Sequence, residues 1–204
     1  MFLELRRLEV GPWPMNCYLL RCSATGNTAI VDPGADADTI LAAVGHGHVC
    51  CVLLTHGHPD HVGALEEVRN ALDVPVGIHP ADAQAFGLCA DFSLVGGAEV
   101  KVGEQSVGIA HVPGHTPGSV CLRLNGRAVV GDAIFPGGPG HTASPDALLQ
   151  SLASLREQIF VWPDDVELHP GHGGHTTVGA ERAAFERFVA SERPADLCGD
   201  VAWR

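Results

Sequence analysis

The stretch Thr55-His56-Gly57-His58-Pro59-Asp60-His61 constrains this chain more than any other, because it sets four potential metal ligands within six residues. It follows Cys50-Cys51-Val52-Leu53-Leu54, an apolar run that reads as a short buried strand. In extended backbone alternate side chains point the same way, so His56 and His58 can reach one ion together. Pro59 disfavours the helical conformation at His58 and keeps the segment extended for one more residue. Val62, Leu65, Val68 and Leu72 then recur at helical spacing, which puts Asp60 and His61 at or near a helix start and aims them elsewhere. Imidazoles and a carboxylate without thiolate suit zinc, iron or manganese. A merely histidine-rich loop would lack this agreement of period, proline and helix onset. His46-Gly47-His48, with no acidic partner, is read as such a solvated loop.

Four more motifs lie at the ends of strand-like runs, one before this stretch and three after it. Val31-Asp32-Pro33-Gly34 is an Asp-containing turn. Pro113-Gly114-His115-Thr116-Pro117-Gly118-Ser119 carries a histidine, Gly131-Asp132 an aspartate, and Pro170-Gly171-His172-Gly173 a second histidine. Taken together and in this order, the five motifs resemble the metallo-β-lactamase superfamily. Within it they look closest to the glyoxalase II branch of hydroxyacyl-thiol hydrolases (hydroxyacylglutathione hydrolases).

The resemblance implies a role for each residue. His56, His58 and His115 would bind a first metal, and Asp60, His61 and His172 a second. Asp132 would bridge the two, and Asp32 would support a ligating histidine from behind. The cofactor implied is a pair of divalent metal ions, zinc first, with iron or manganese as alternatives. The activity implied is hydrolysis of a thioester or related ester by a bridging hydroxide, with Asp60 and Asp132 as the catalytic carboxylates. The chain departs from glyoxalase II in one respect: after His172 only one helix and a tail are expected, where that family has a helical domain with basic residues that hold glutathione. A shorter thioester, another thiol carrier or a lactone would also suit. A rival with similar motifs is the persulfide dioxygenase, in which His56, His115 and Asp132 would hold one iron.

The rest of the chain reads as scaffold. Residues 2–10 and 16–22 are expected strands around the turn Gly11-Pro12-Trp13-Pro14, in which Trp13 is read as packed. A strand at 28–31, a helix at 36–44, the metal loop, a helix to Leu72, a strand at 76–78 and a helix from Pro80 complete a first half. Asp82 falls in that last helix's first turn, and His79, isolated, is left outside the site. From Glu99 the pattern turns to β, with Asn125-Gly126 as a hairpin signal before Val129-Val130. The Gly/Pro-rich loop 132–144 holds Phe135 and His141, which are expected substrate contacts. A helix capped by Ser144 follows, with Leu148, Leu149, Leu152, Leu155 and Ile159, then a strand at 166–168 and a helix at 178–189. The tail 194–204 shows no pattern.

Strands then helices, repeated, suit an α/β chain folded as an αββα sandwich, two mixed sheets face to face with helices outside, as one domain spanning 1–204. The resemblance implies the same fold. The formal net charge of −12 and a single lysine, Lys101, argue against a nucleic-acid partner. No apolar run approaches membrane-spanning length. The seven cysteines contain no Cys-x-x-Cys and are read as small buried side chains in a reducing cytoplasm.

Overall fold

The computed structural model describes residues 2–203. Its first half pairs β1 (Leu3–Val10), β2 (Met15–Cys22) and β3 (Thr28–Val31) antiparallel. Helix α1 (Ala37–Val44) then crosses to β4 (Val49–Leu53), parallel to β3. Next come α2 (Pro59–Val62), α3 (Leu65–Leu72), β5 (Val76–Ile78), α4 (Pro80–Phe86) and β6 (Phe92–Ser93), the last two strands extending the parallel side. The result is a six-stranded mixed sheet in simple chain order.

The second half builds another six-stranded mixed sheet. It begins with β7 (Glu99–Val102), β8 (Gln105–His111), β9 (Val120–Arg123) and β10 (Arg127–Gly131), all antiparallel. A small hairpin of β11 (Ile134–Phe135) and β12 (Gly138–Pro139) gives local structure to the glycine-rich loop. Helix α5 (Pro145–Ser154) continues into a π-helical turn (Leu155–Ile159). The chain re-enters the sheet as β13 (Glu167–Pro170), parallel to β10, with β14 (Thr176–Thr177) at the edge, and closes with α6 (Val178–Ala190).

Strand alternation explains how the layers meet. In β2, Tyr18, Leu20 and Cys22 face the other sheet, where Val107, Ile109, Leu122 and Val129 come from the opposite side. Met15, Cys17 and Leu19 point the other way, under Ile40 of α1 and Leu65 and Val68 of α3. On the far side of the second sheet, Leu148, Leu152, Leu155 and Ile159 pack with Phe185 of α6. Both mixed sheets therefore stand face to face with helices outside, as the αββα expectation required.

Three local readings change. The helix expected to run to Leu72 breaks at Gly63-Ala64, where the Ala64 N–H bonds to the Pro33 carbonyl instead of the helix, and the Gly34 carbonyl lies so close that residue 63 has no room for a side chain. Leu149 is exposed, so the apolar stripe of α5 is narrower than its leucines suggest. The patternless tail is ordered: Trp203 is buried against Phe160 and Phe185 and donates from Nε1 to Glu181 Oε2 at 2.9 Å. Among the described residues no helix is long and apolar enough to cross a membrane, and all seven cysteines are free.

Candidate metal centre

The centre grows from the end of β3. Asp32 follows directly and adopts a left-handed conformation (φ 50°), which aspartate tolerates better than most residues. Its buried carboxylate accepts from the Thr55 N–H at 2.7 Å and the Thr55 hydroxyl at 2.6 Å. It also takes the Nδ1 proton of His61 at 3.0 Å. These bonds join the end of β3 to the loop after β4. Since the Thr55 hydroxyl donates to Asp32, it accepts from His56 Nδ1, 3.1 Å away. His115 Nδ1 donates to the His141 carbonyl at 2.8 Å, and His172 Nδ1 to the Pro14 carbonyl at 2.9 Å. The imidazoles of His56, His115 and His172 are thereby fixed with a proton on Nδ1 toward the scaffold and a lone pair on Nε2 toward the centre, and His61 turns its Nε2 there as well.

Those lone pairs converge in two groups. His56 Nε2 lies 3.1 Å from His58 Nδ1, which lies 2.9 Å from His115 Nε2. In the second group His172 Nε2 is 3.1 Å from Asp60 Oδ2, with His61 alongside. Within each group the ligand atoms all lie within 4.8 Å of one another. Asp132 stands between them. Its Oδ1 is 3.4 Å from His61 Nε2, while its Oδ2 is 3.8 Å from both His115 Nε2 and His172 Nε2. His61 Nε2 and Asp132 Oδ1 are buried atoms without a hydrogen-bond partner. Nitrogen lone pairs facing each other, with buried polar atoms unsatisfied beside them, are a costly arrangement that a bound cation relieves. The donor set of imidazoles and carboxylates fits two divalent ions. Asp32 also lies within reach of His56 and His61, but its oxygens are already occupied by Thr55 and His61, so it supports rather than ligates.

The loops that carry the ligands are tied across both sheets. Val120 N–H bonds to the Thr55 carbonyl at 2.8 Å. Asn16 donates through Nδ2 to the Pro170 and Gly173 carbonyls, and the Tyr18 hydroxyl reaches Pro170 at 2.6 Å, so β2 holds both sides of His172. At Gly171 an added Cβ would fall 2.3 Å from Asp132 Oδ1 and 2.4 Å from His61 Cε1, so only glycine lets this loop approach so closely.

The environment divides the histidines. Burial of His56, and the charges of the neighbouring imidazoles, hold its protonated form well below the ordinary range, and His58 is lowered for similar reasons. Burial also opposes charge on His61, but Asp132 and Asp32 on either side outweigh it and push this ring up to about 10. Asp132 is buried too, yet the adjacent His61 keeps its carboxyl below the usual range.

All seven expected ligands come together, with Asp32 behind His61. Phe135 lies half-buried in β11 of the loop. From His141 the backbone carbonyl serves His115, while its exposed ring turns to Asp200 at 3.1 Å. His79 caps α4, its Nδ1 accepting from Ala81 N–H, and stacks on His111 at 4.0 Å, outside the ligand groups. Trp13 is not packed. It is 82% exposed and lines a cavity of about 350 Å³ with Pro14, Asp60 and His172. Its turn is anchored by the Gly11 N–H on Asp36 at 2.8 Å. The Gly-Pro-x-Pro run signalled a turn but not which wall the indole would stand on.

The sequence pattern of the metallo-beta-lactamase superfamily matches residues 10–177. A hydroxyacylglutathione hydrolase of Anaeromyxobacter dehalogenans is 41% identical over 160 residues, covering 76% of this chain and 60% of that protein. The hydroxyacylglutathione hydrolase GloC of Haemophilus influenzae is 30% identical, covering 88% of this chain and 95% of that one. Among solved structures, TTHA1623 in a di-iron-bound form superposes with a TM-score of 0.72 at 32% identity, covering 87% of this chain and 96% of that chain. The match along most of the chain, together with the paired sheets, makes this protein a member of the metallo-beta-lactamase superfamily.

Proposed function

We propose that this chain is a binuclear metal-dependent hydrolase that cleaves the thioester of a hydroxyacyl thiol, or a related ester or lactone. The observation that carries the reading is the convergence of two groups on Asp132, with the Nε2 atoms of His56, His61, His115 and His172 turned inward by hydrogen bonds on the far side of each ring. His56, His58 and His115 would hold one ion, Asp60, His61 and His172 the other, and Asp132 both. Such a pair of divalent ions, zinc first and iron or manganese otherwise, lowers the pKa of a water and polarises an acyl carbonyl. The chain's own residues then bind and orient. Asp60, exposed at the rim, is placed to accept a proton from a water and align it. Trp13 and Pro14 give the acyl or thiol portion an apolar wall beside Asp60 and His172. Phe135 and His141 are the substrate contacts we assign to the 132–144 loop. The His141–Asp200 pair is exposed on both sides, so little opposes a turn of the imidazole toward substrate.

A glutathione thioester suits this reading, since the Haemophilus protein named a hydroxyacylglutathione hydrolase is matched over 95% of its length. The test is anaerobic incubation of the zinc-loaded protein with lactoylglutathione and with simpler hydroxyacyl thioesters, followed by assay of released thiol. Thiol release without oxygen supports the reading. Iron-dependent oxygen uptake with glutathione persulfide, and no thiol from any thioester, would replace it with the dioxygenase.

A further inference from the structure

Asp82 is a fully buried carboxylate whose side-chain hydrogen bonds go to Gly57, Thr116 and Gly118, none of them among the seven residues of the centre. It sits in the first turn of α4, where an aspartate ordinarily faces water. Here its Oδ2 accepts from the Gly57 N–H at 2.9 Å and the Thr116 hydroxyl at 2.8 Å, and its Oδ1 from the Gly118 N–H at 2.6 Å. Gly57 is the residue between His56 and His58, and Thr116 and Gly118 lie one and three residues after His115. One carboxylate thus fixes the peptide that sets the angle between two ligands and the loop that presents the third. Thr116 is held in turn, its oxygen 2.6 Å from the Ser119 hydroxyl and its N–H bonded to the same oxygen at 3.1 Å. The fit is tight, since a Cβ on Gly118 would lie 2.7 Å from both the backbone nitrogen and Oδ1 of Asp82.

The electrostatics point the same way. The three donors to Asp82 are two peptide N–H groups and a hydroxyl, all uncharged. A carboxylate buried with neutral partners alone is expensive. The ligand group it supports is made of three imidazoles with no carboxylate of its own other than the shared Asp132. A cation held there would meet a counter-charge one bond network away, as a cation at Asp60, His61 and His172 would meet Asp32.

We infer that Asp82 is the positioning residue of the His56–His58–His115 group, tying its two loops into one rigid cradle and supplying that group's buried counter-charge. The inference rests on the metal reading above for its cation, but its geometric part does not. Loss of a supporting residue of this kind costs about 10–100-fold in metal affinity.

The experiment uses the full chain with Asp82→Asn, Thr116→Val and Thr116→Ser, titrated with zinc and with cobalt as a spectroscopic reporter. Expected in Asp82→Asn is a rise of about 10–100-fold in the dissociation constant of one ion, with the other changed less than about threefold. Thr116→Val should show a smaller selective loss, and Thr116→Ser, which restores the donor, should recover parental affinity. In metal-free protein, the amides of Gly57 and Gly118 should exchange faster in Asp82→Asn while that of Gly171 stays protected. Should Asp82→Asn fail to fold, the two Thr116 variants decide the matter alone. Two ions bound at parental affinity by Asp82→Asn, or equal weakening of both, would overturn the inference and leave the binuclear reading intact. A parent that takes up no ions, with Gly57 and Gly118 still selectively freed by the variant, would sink the metal reading and leave the positioning role standing.

Discussion

The group of His56, His58 and His115 and the group of Asp60, His61 and His172 lie on either side of Asp132, yet they are held by different means. In the first, ring nitrogens of His56 and His115 bond to neutral oxygens, of Thr55 and of the His141 backbone, and the nearby carboxylate grips the main chain. In the second, a carboxylate bonds a ring of the group directly, Asp32 to His61. The difference sets the protonation state. His56 and His58 are held neutral at physiological pH, whereas His61, between Asp32 and Asp132, is pushed up to about 10 and carries a proton. A cradle that grips backbone makes a ready nest for a cation. One that grips the ring through an anion must first give up a proton. Two sites of nearly equal composition should therefore differ in how pH controls them.

The largest expected effect breaks the symmetry at its hinge. Asp132→Ala should lower turnover by more than the roughly 100-fold of a supporting residue and drop metal content from two ions per chain to one or none, by elemental analysis. Two ions retained with turnover intact would mean that Asp132 joins nothing.

Next comes Asp32→Asn. It should weaken the ion at His61 by about 10–100-fold and spare the one at His56, the mirror image of a change at Asp82. Weakening of both alike, in competition titrations, would merge the two groups into one unit.

Protons give a finer comparison. Uptake of metal near pH 7 should release about one proton from the His61 group and about none from the His56–His58 pair, read as pH change in weak buffer. The same shift bears on folding of the metal-free protein. A histidine raised in the folded state stabilises fully below its ordinary value near 6.5, and that contribution fades as pH rises through about 10. Thermal stability of the metal-free parent should thus fall across that window, and Asp32→Asn should flatten the fall. An unchanged profile would place the proton elsewhere.

The smallest effect lies outside both groups. Trp13→Ala should raise the Michaelis constant several-fold while metal content and stability stay within about 0.5 kcal/mol of the parent, as expected for an exposed side chain. A drop in metal content instead would give the indole a structural duty.

The residues of the candidate centre were legible because their signals are local. Pro59 after His58, the helix onset at Asp60 and the glycine turns around His115 and His172 each state a backbone geometry within a few residues. Asp82 was not legible. An aspartate after proline at a helix start has an ordinary meaning, and its partners lie 25, 34 and 36 residues away. The break before Leu65 was hidden likewise, since the Ala64 N–H is drawn to the Pro33 carbonyl of another loop. Trp203 belongs to a tail with no periodicity, and its burial depends on the shape of a pocket that only the assembled second half provides.

That tail has a consequence in time. Trp203 donates from its backbone N–H to the Gly137 carbonyl and from Nε1 to Glu181, Glu181 also accepts from the Gly137 N–H, and Gly199 pairs with Thr142, so residues 199–203 clasp the loop whose carbonyl orients His115. His56, His58 and His61 leave the ribosome on the order of ten to thirty seconds before Trp203, at ordinary rates of synthesis. During that interval the nascent chain offers clustered imidazoles but no finished cradle. A chain stalled short of residues 199–203 would carry every histidine of the signature while the loop that orients His115 stood unclasped.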